Sequence, residues 1–228
     1  TLCGLRRRGY TPASMRLFAD RIGISKQNSL IDFSVLEGCV REDLDAKGQR
    51  RLAVIDPIKL VIKNLPEDFS DTLHFSNHPK DESAGKREVP LSREVWIERD
   101  DFMEVPPKGF HRLVPGGEVR LRAVGIVKCI DVIKHGDAVV EVHGELDLES
   151  RPGLPGSERK VKGTIHWVCA KSGVETEVRL YDRLFTVANP DDETEGKTYR
   201  DYLNPESVRV VKAYVEPAAA SLARKPIS

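Results

Sequence analysis

Apolar positions follow two rhythms along this chain. Over roughly the first fifty residues they recur every three or four positions, as on one face of a helix. Met15, Leu17, Phe18 and Ile22 have that spacing. Thr11 and Pro12 before them supply an N-cap and a proline at the first helical position, and Gly23 suits a helix end. A second helix is predicted from near Ser29, with Asp32 as a capping-box partner and Phe33, Leu36, Val40 and Leu44 as its apolar stripe. Glu37, Arg41 and Glu42 face away from that stripe.

After Arg51 the rhythm shortens to runs rich in Val, Ile and aromatics with turn residues between them. The predicted strands are "AVIDPIKLVIKN", "DTLHFS", "SREVWIE", "GFHRLV", "EVRLRAVGIVKCIDVIK", "AVVEVHGEL", "VKGTIHWVCA", "VETEVRLYDRLFTV" and "ESVRVVKAYVE". No helical pattern intervenes, so antiparallel barrels or a sandwich are expected. "NHPKDESAGKREVP", "ESRPGLPGSERK" and "NPDDETEGKTYRDYLNP" read as loops, and "ESRPGLPGSE" is the candidate domain boundary.

Within the strand region, "RLVPGGEVRLR" (112–122) reads as strand, turn and strand. Alternation places Val119 and Leu121 inward and Glu118, Arg120 and Arg122 outward. A wet strand face explains such a ridge on pattern alone. Arg99 reads as a plain surface charge, and Arg6–Arg8 as a solvated turn or a contact with RNA or a neighbouring domain. Charge sharpens the question: 36 Lys and Arg balance 36 Asp and Glu, for a net charge of zero. Nucleic-acid-binding domains are usually basic overall, so a polyanion site here is a local patch.

The remaining chemistry mostly excludes. The four cysteines (Cys3, Cys39, Cys129, Cys169) are far apart and form no CxxC pair. That fits neither a disulfide framework nor a zinc cluster, and suits a reducing cytoplasm. No apolar run approaches the ~18 residues of a membrane span, and no secretory signal is present. The chain opens at Thr1 into "LCGLRRRGYTP", which reads as a piece of a longer protein. There is no Gly-rich phosphate loop and no GxSxG elbow. His74 and His78 read as a solvated loop rather than metal ligands. Glu141, Glu145 and Asp147 read as the wet face of a strand, and His166–Trp167 as one buried and one exposed side. No catalytic residue and no metal site is assigned.

Several segments together carry a resemblance. "GLRRRGYTP", "REDL", "AVIDPIKLVI", "NHP", "VPLSREVWIERDDF", "RLVPGGEVRLR", "KVKGTIHWV", "EVRLYDRLF" and "NPESV" stand in the order and at the spacing of bacterial-type glutaminyl-tRNA synthetases, from about Leu5 to Pro217. Eukaryotic glutamyl-tRNA synthetases share this architecture and some of these motifs. The resemblance implies a mainly β chain with an N-terminal α-helical subdomain (1–49) and two antiparallel anticodon-binding β-barrels. These span 50–155 and 156–228 and are of a type like a ribosomal-RNA-binding protein. The second is expected to be incomplete, because the chain stops before the strands that close it in the family.

The resemblance also implies roles. Positions matching Arg120 and Arg122 contact the first anticodon base, and that matching Arg112, with its neighbours Lys108 and His111, the third. Arg50 matches an arginine near the middle base. Pro79 and Lys80 match a loop near the anticodon. Ser25, Lys26, Gln27, Ser29 and Asp32 match a turn that touches the inside corner of the tRNA. Gly109 and His111 depart from the family, where glutamine and lysine are frequent. The implied partners are tRNA(Gln) and an upstream catalytic domain of the same chain, in a monomer with no membrane association. ATP and magnesium serve that domain, and no cofactor is expected in this part. The rival classes are a ribosomal-RNA-binding barrel protein and a protein-interaction module.

Overall fold

The computed structural model describes residues 2–27, 29–191 and 196–220. They fall into two compact units: the chain up to Arg50 with Arg179–Arg209, and Arg51–Val178 with the segment from Val210.

The first unit carries the helical rhythm. Its helices are α1 (Leu2–Arg7), α2 (Pro12–Ile22) and α3 (Phe33–Lys47). Thr11 caps α2 as expected: its Oγ1 accepts from the Ser14 N–H at 3.0 Å and donates to Asp43 Oδ2 at 2.6 Å, tying the start of α2 to α3. Gly23 ends the helix at φ 68°, with its N–H on the Ala19 carbonyl. The predicted start of the second helix is corrected. It begins at Phe33, and Asp32 is itself the N-cap, accepting from the Ser34 N–H at 2.7 Å. A carboxylate that satisfies the first-turn donors this way leaves no role for Ser29 as a cap. Arg6 and Arg7 close α1, while Arg8 lies over the rings of Tyr10 and Tyr181 at 5.6 and 5.0 Å.

The strand rhythm yields twelve strands among the described residues: β1 (Ala53–Ile55), β2 (Pro57–Ile62), β3 (Ser70–Ser76), β4 (Lys86–Ser92), β5 (Glu94–Glu98), β6 (Glu118–Leu121), β7 (Gly125–His135), β8 (Ala138–Asp147), β9 (Thr164–Ile165), β10 (Val168–Cys169), β11 (Val174–Tyr181) and β12 (Val208–Val215). The chain is mainly β with a helical N-terminal region. Seven strands form an open sheet in the order β10-β5-β2-β8-β7-β6-β9, β3 pairs with β4, and β12 lies between β1 and β11. The expectation of purely antiparallel pairing is corrected, because β2–β8 and β6–β9 are parallel. Each joins strands far apart in sequence, which a tight hairpin cannot do.

Three further corrections have local causes. Two long apolar runs break at Asp56 (φ 53°) and Ala123 (φ 60°), the two non-glycine residues with left-handed φ among those described. The second break makes a β6–β7 hairpin, with Leu121 opposite Gly125. "GFHRLV" forms no strand. Pro106 and Pro107 precede it and Gly109 takes φ 90°, so a single parallel bridge from Leu113 to Phe102 remains. The Pro-Gly-Gly turn does form, with Gly117 N–H on the Val114 carbonyl at 2.9 Å. The supposed loop after His78 instead holds β4, which pairs along all of β3.

Alternating β residues fill the core of the second unit. Ile58, Leu60, Ile62, Val95, Ile97, Val119, Leu121, Val127, Val142 and Trp167 are all at most 1% exposed. Full burial stabilises each aliphatic side chain by roughly 1.5–3 kcal/mol relative to leaving it exposed.

Candidate nucleic-acid interface

The arginine ridge divides into two kinds of side chain. Burial follows the predicted alternation: Val119 and Leu121 are buried and Glu118 and Arg122 exposed, with Arg120 half-buried. The Arg122 backbone is fixed at both polar atoms. Its N–H donates to the Ile165 carbonyl at 3.0 Å, and its carbonyl accepts from Trp167 Nε1 at 3.0 Å. Trp167 is 0% exposed, so that indole donor is itself immobile. The Arg122 side chain projects from this mount and pairs with no carboxylate among the described residues.

Arg120 is spent differently. Its Nη1 and Nη2 donate to the carbonyls of Ser150 (3.3 Å) and Arg159 (2.6 Å). Arg159 in turn pairs with Glu118 at 2.7 Å and Asp147 at 3.0 Å. Arg120 therefore straps the segment after β8 to β6. Arg99 is also more than a surface charge. Its Nη1 donates to the Val139 carbonyl at 2.9 Å, holding the start of β8.

Lys108, His111 and Arg112 lie on the segment that replaces the missing strand, all exposed. Backbone bonds fix it: Leu113 N–H donates to the Asp101 carbonyl at 2.9 Å and Met103 N–H to the Leu113 carbonyl at 3.1 Å. Arg112 Nε donates to Asp101 Oδ1 at 2.9 Å, and its Nη1 makes a long contact of 3.4 Å with the His111 carbonyl. Burial pushes the Asp101 carboxyl above its ordinary range despite Arg112 beside it. Gly163 brings the pieces together. A Cβ there would lie 2.1 Å from the His111 carbonyl oxygen, while the Gly163 carbonyl accepts from the Arg120 N–H at 3.0 Å. The short stretch 163–165 thus has the Arg112 segment against it and the arginine strand paired to it.

Next to this stretch, His166 Nε2 lies 2.8 Å from the Ala53 carbonyl and 3.5 Å from Glu98 Oε1. The hydrogen bond with Glu98 is the main reason its pKa rises; burial opposes the rise, and the Ala53 carbonyl and Asp101 add to it.

Pro79 and Lys80 are exposed at the tip of the β3–β4 connection. His78 beside them is corrected from solvated to 5% exposed, with its Nδ1 accepting from the Lys80 N–H at 3.1 Å. Asn77 braces the loop, donating from Nδ2 to the Ala84 carbonyl and accepting from Arg51. Bonds from Ser83 hold Asp81 below the usual carboxylate range.

The first unit carries the other expected residues. Arg50 caps the end of α3: Nη2 pairs with Asp45 at 2.7 Å, and Nη1 reaches the carbonyls of Gly48 and Leu44. Ser25 Oγ accepts from the Gln27 N–H at 3.1 Å, and Lys26 and Ser29 are exposed. Asp32 serves as the α3 cap, and Ser34 holds its carboxyl low. No group of three or more potential metal ligands occurs among the described residues, and no described helix is long and apolar enough to cross a membrane.

Sequence reasoning missed Trp167, Gly163 and Asp101 as supports of this surface. The first two stand within "KVKGTIHWV", but nothing in a linear pattern says which carbonyl a buried indole will meet.

This is a β-rich scaffold that presents donors from fixed backbone beside a segment bearing Lys108, His111 and Arg112. Two family models, both described as "tRNA synthetases class I (E and Q), anti-codon binding domain", match residues 48–147 and 164–227. The chain belongs to this family. It is 71% identical over 224 residues to the glutamine–tRNA ligases of Xanthomonas euvesicatoria pv. vesicatoria and Xanthomonas axonopodis pv. citri, covering 98% of this chain and 39% of each relative. It is 65% identical over 224 residues to the glutamine–tRNA ligase of Xylella fastidiosa strain M12, with the same coverage. The chain therefore spans about two-fifths of the length of the curated relatives it matches.

Proposed function

We propose that this chain is the anticodon-reading part of a glutamine–tRNA ligase, with a catalytic domain elsewhere in the same protein using ATP and magnesium to esterify glutamine to tRNA(Gln). The observation that carries the reading is 71% identity across 98% of the chain to proteins of that name. On this reading the intact enzyme is a cytoplasmic monomer. Residues 1–49 are its helical subdomain, 50–155 its first anticodon-binding barrel, and 156–228 belong to its second.

Anticodon bases are unstacked in a loop, so their edges can be read one at a time. Arg122 reads the first base from its fixed mount, with Arg120 holding the surface beneath it. Arg112 reads the third base, flanked by Lys108 and His111. Arg50 lies near the middle base, and Pro79 and Lys80 face the anticodon loop. Ser25, Lys26, Gln27, Ser29 and Asp32 meet the inside corner of the tRNA. Arginine suits this work because its planar fork offers paired donors and stacks on bases.

The test is titration of the protein with unmodified transcripts: tRNA(Gln), tRNAs with other anticodons, and a ribosomal RNA fragment. Tightest binding to tRNA(Gln) is expected. Equal affinity for all tRNAs, preference for ribosomal RNA, or no RNA binding would overturn the reading.

A further inference from the structure

We propose that Asp101 is a specificity-determining positioning residue that aims the Arg112 guanidinium at a guanine in the third anticodon position. The proposal rests on the reading that Arg112 meets that base.

The geometry starts from the carboxylate. Asp101 has a side chain only 13% exposed, and it accepts from Arg112 Nε at 2.9 Å, whereas Arg112 is 45% exposed. The backbone next to Arg112 is tied to the same residue, since the Asp101 carbonyl accepts from the N–H of Leu113. The carboxylate is thus a fixed point and the guanidinium an arm hinged on it. Binding at Nε leaves the Nη1–Nη2 edge without a carboxylate partner among the described residues. The remaining contact on that edge, Nη1 to the His111 carbonyl at 3.4 Å, is long and weak. Two parallel donors on a flat edge match the O6 and N7 acceptors of guanine, the commonest specific arginine contact. Glutamine codons begin with C, so the third anticodon base of a glutamine tRNA is guanine. His166 and Glu98 are the other titratable groups near Asp101, and His166 is already engaged by the Ala53 carbonyl and Glu98, which leaves Arg112 as the direct partner of Asp101. An arginine without this anchor retains its charge and its attraction to RNA, but its fork is free to rotate away from the base edge.

The experiment uses the whole ligase and measures kcat/KM for tRNA(Gln) transcripts carrying each base at the third anticodon position. Arg112→Ala should lower the preference for guanine by ~10- to 100-fold. Asp101→Ala should remove most of the same preference, and the double variant should be no less selective than Arg112→Ala alone. Asp101→Asn, whose amide oxygen still accepts from Nε, should retain most of it. If the alanine variant does not fold, Asp101→Ser, too short to reach Nε, takes its place. A uniform loss across all four transcripts would make Asp101 a merely structural residue and overturn the proposal. A uniform gain would make it a competitor for Arg112 and overturn it equally. If Arg112→Ala leaves the guanine preference intact, the reading of Arg112 fails first and the role of Asp101 fails with it.

Discussion

A guanidinium that reads a base must arrive with its outer Nη donors largely unspent and its backbone in place. Arg122 meets both conditions, with Ile165 and Trp167 holding its backbone. Arg120, two positions earlier, spends Nη1 and Nη2 on carbonyls of its own chain. The two therefore part under mutation. In the whole enzyme, Arg122→Ala should lower discrimination at the first anticodon base by ~1–3 kcal/mol while leaving the melting temperature nearly unchanged. Arg120→Ala should lower the melting temperature, because the Ser150 and Arg159 carbonyls lose their donor, and should weaken all tRNAs alike. Aminoacylation of transcripts varied at that base, alongside thermal melts, separates these outcomes; equal selectivity loss in both variants would refute the division.

At the scale of elements, the periodicities predicted what local chemistry controls. Thr11, Pro12 and Gly23 marked α2 because caps and turn conformations are set by neighbours in sequence. Thr11→Ala should cost ~1 kcal/mol in urea unfolding, since it removes both the acceptor for Ser14 and the bond to Asp43. What sequence could not show were contacts made at a distance. The strap on Arg120 comes from residues thirty and thirty-nine positions away, and the anchor on Arg112 from eleven. Resemblance singled the arginines out, while the different bonds that each makes were not legible. Gly163 shows the same limit: its identity is plain, but its reason is a carbonyl contributed by His111. Gly163→Ala would drive a methyl into that oxygen, displacing the segment that holds Arg112. It should therefore depress both stability and discrimination at the third anticodon base, whereas a stability loss alone would show that the segment adjusts.

For the molecule as a whole, a net charge of zero means that the proposed RNA binding rests on local cations, not on a global field. Binding should weaken with salt by a logarithmic slope of about 0.7 for each phosphate neutralised on single-stranded RNA. Exchanging Lys80 for Ala should flatten that slope if Lys80 meets a phosphate; an unchanged slope would remove it from the interface. Stability should depend on pH through His166. Its pKa in the folded state is raised, chiefly by Glu98, so the protonated form is favoured in the native protein. That contribution is complete below the unfolded value of ~6.5 and is lost as pH rises through the raised one. The difference in urea midpoint between the natural protein and His166→Gln should therefore be largest near pH 6 and shrink towards pH 9. A constant difference would mean that the ring acts only as a neutral hydrogen-bonding group.

The pairing of β1 with β12 has a consequence for how the protein is made. Ala53–Ile55 lies against Ala213–Val215, and beside it the backbones of Leu52 and Glu216 are joined, with the Glu216 carboxylate also accepting from Leu52 N–H across 164 residues. At roughly 5–20 residues per second, a ribosome needs about ten to thirty seconds to synthesise the second strand after the first. For that interval β1 is an open edge carrying unpaired backbone groups, the feature through which nascent chains stick to one another. Pairing of β1 thus waits for the arrival of β12. Conditions that slow translation across residues 56–207 should increase aggregation of the product even when the finished protein is equally stable.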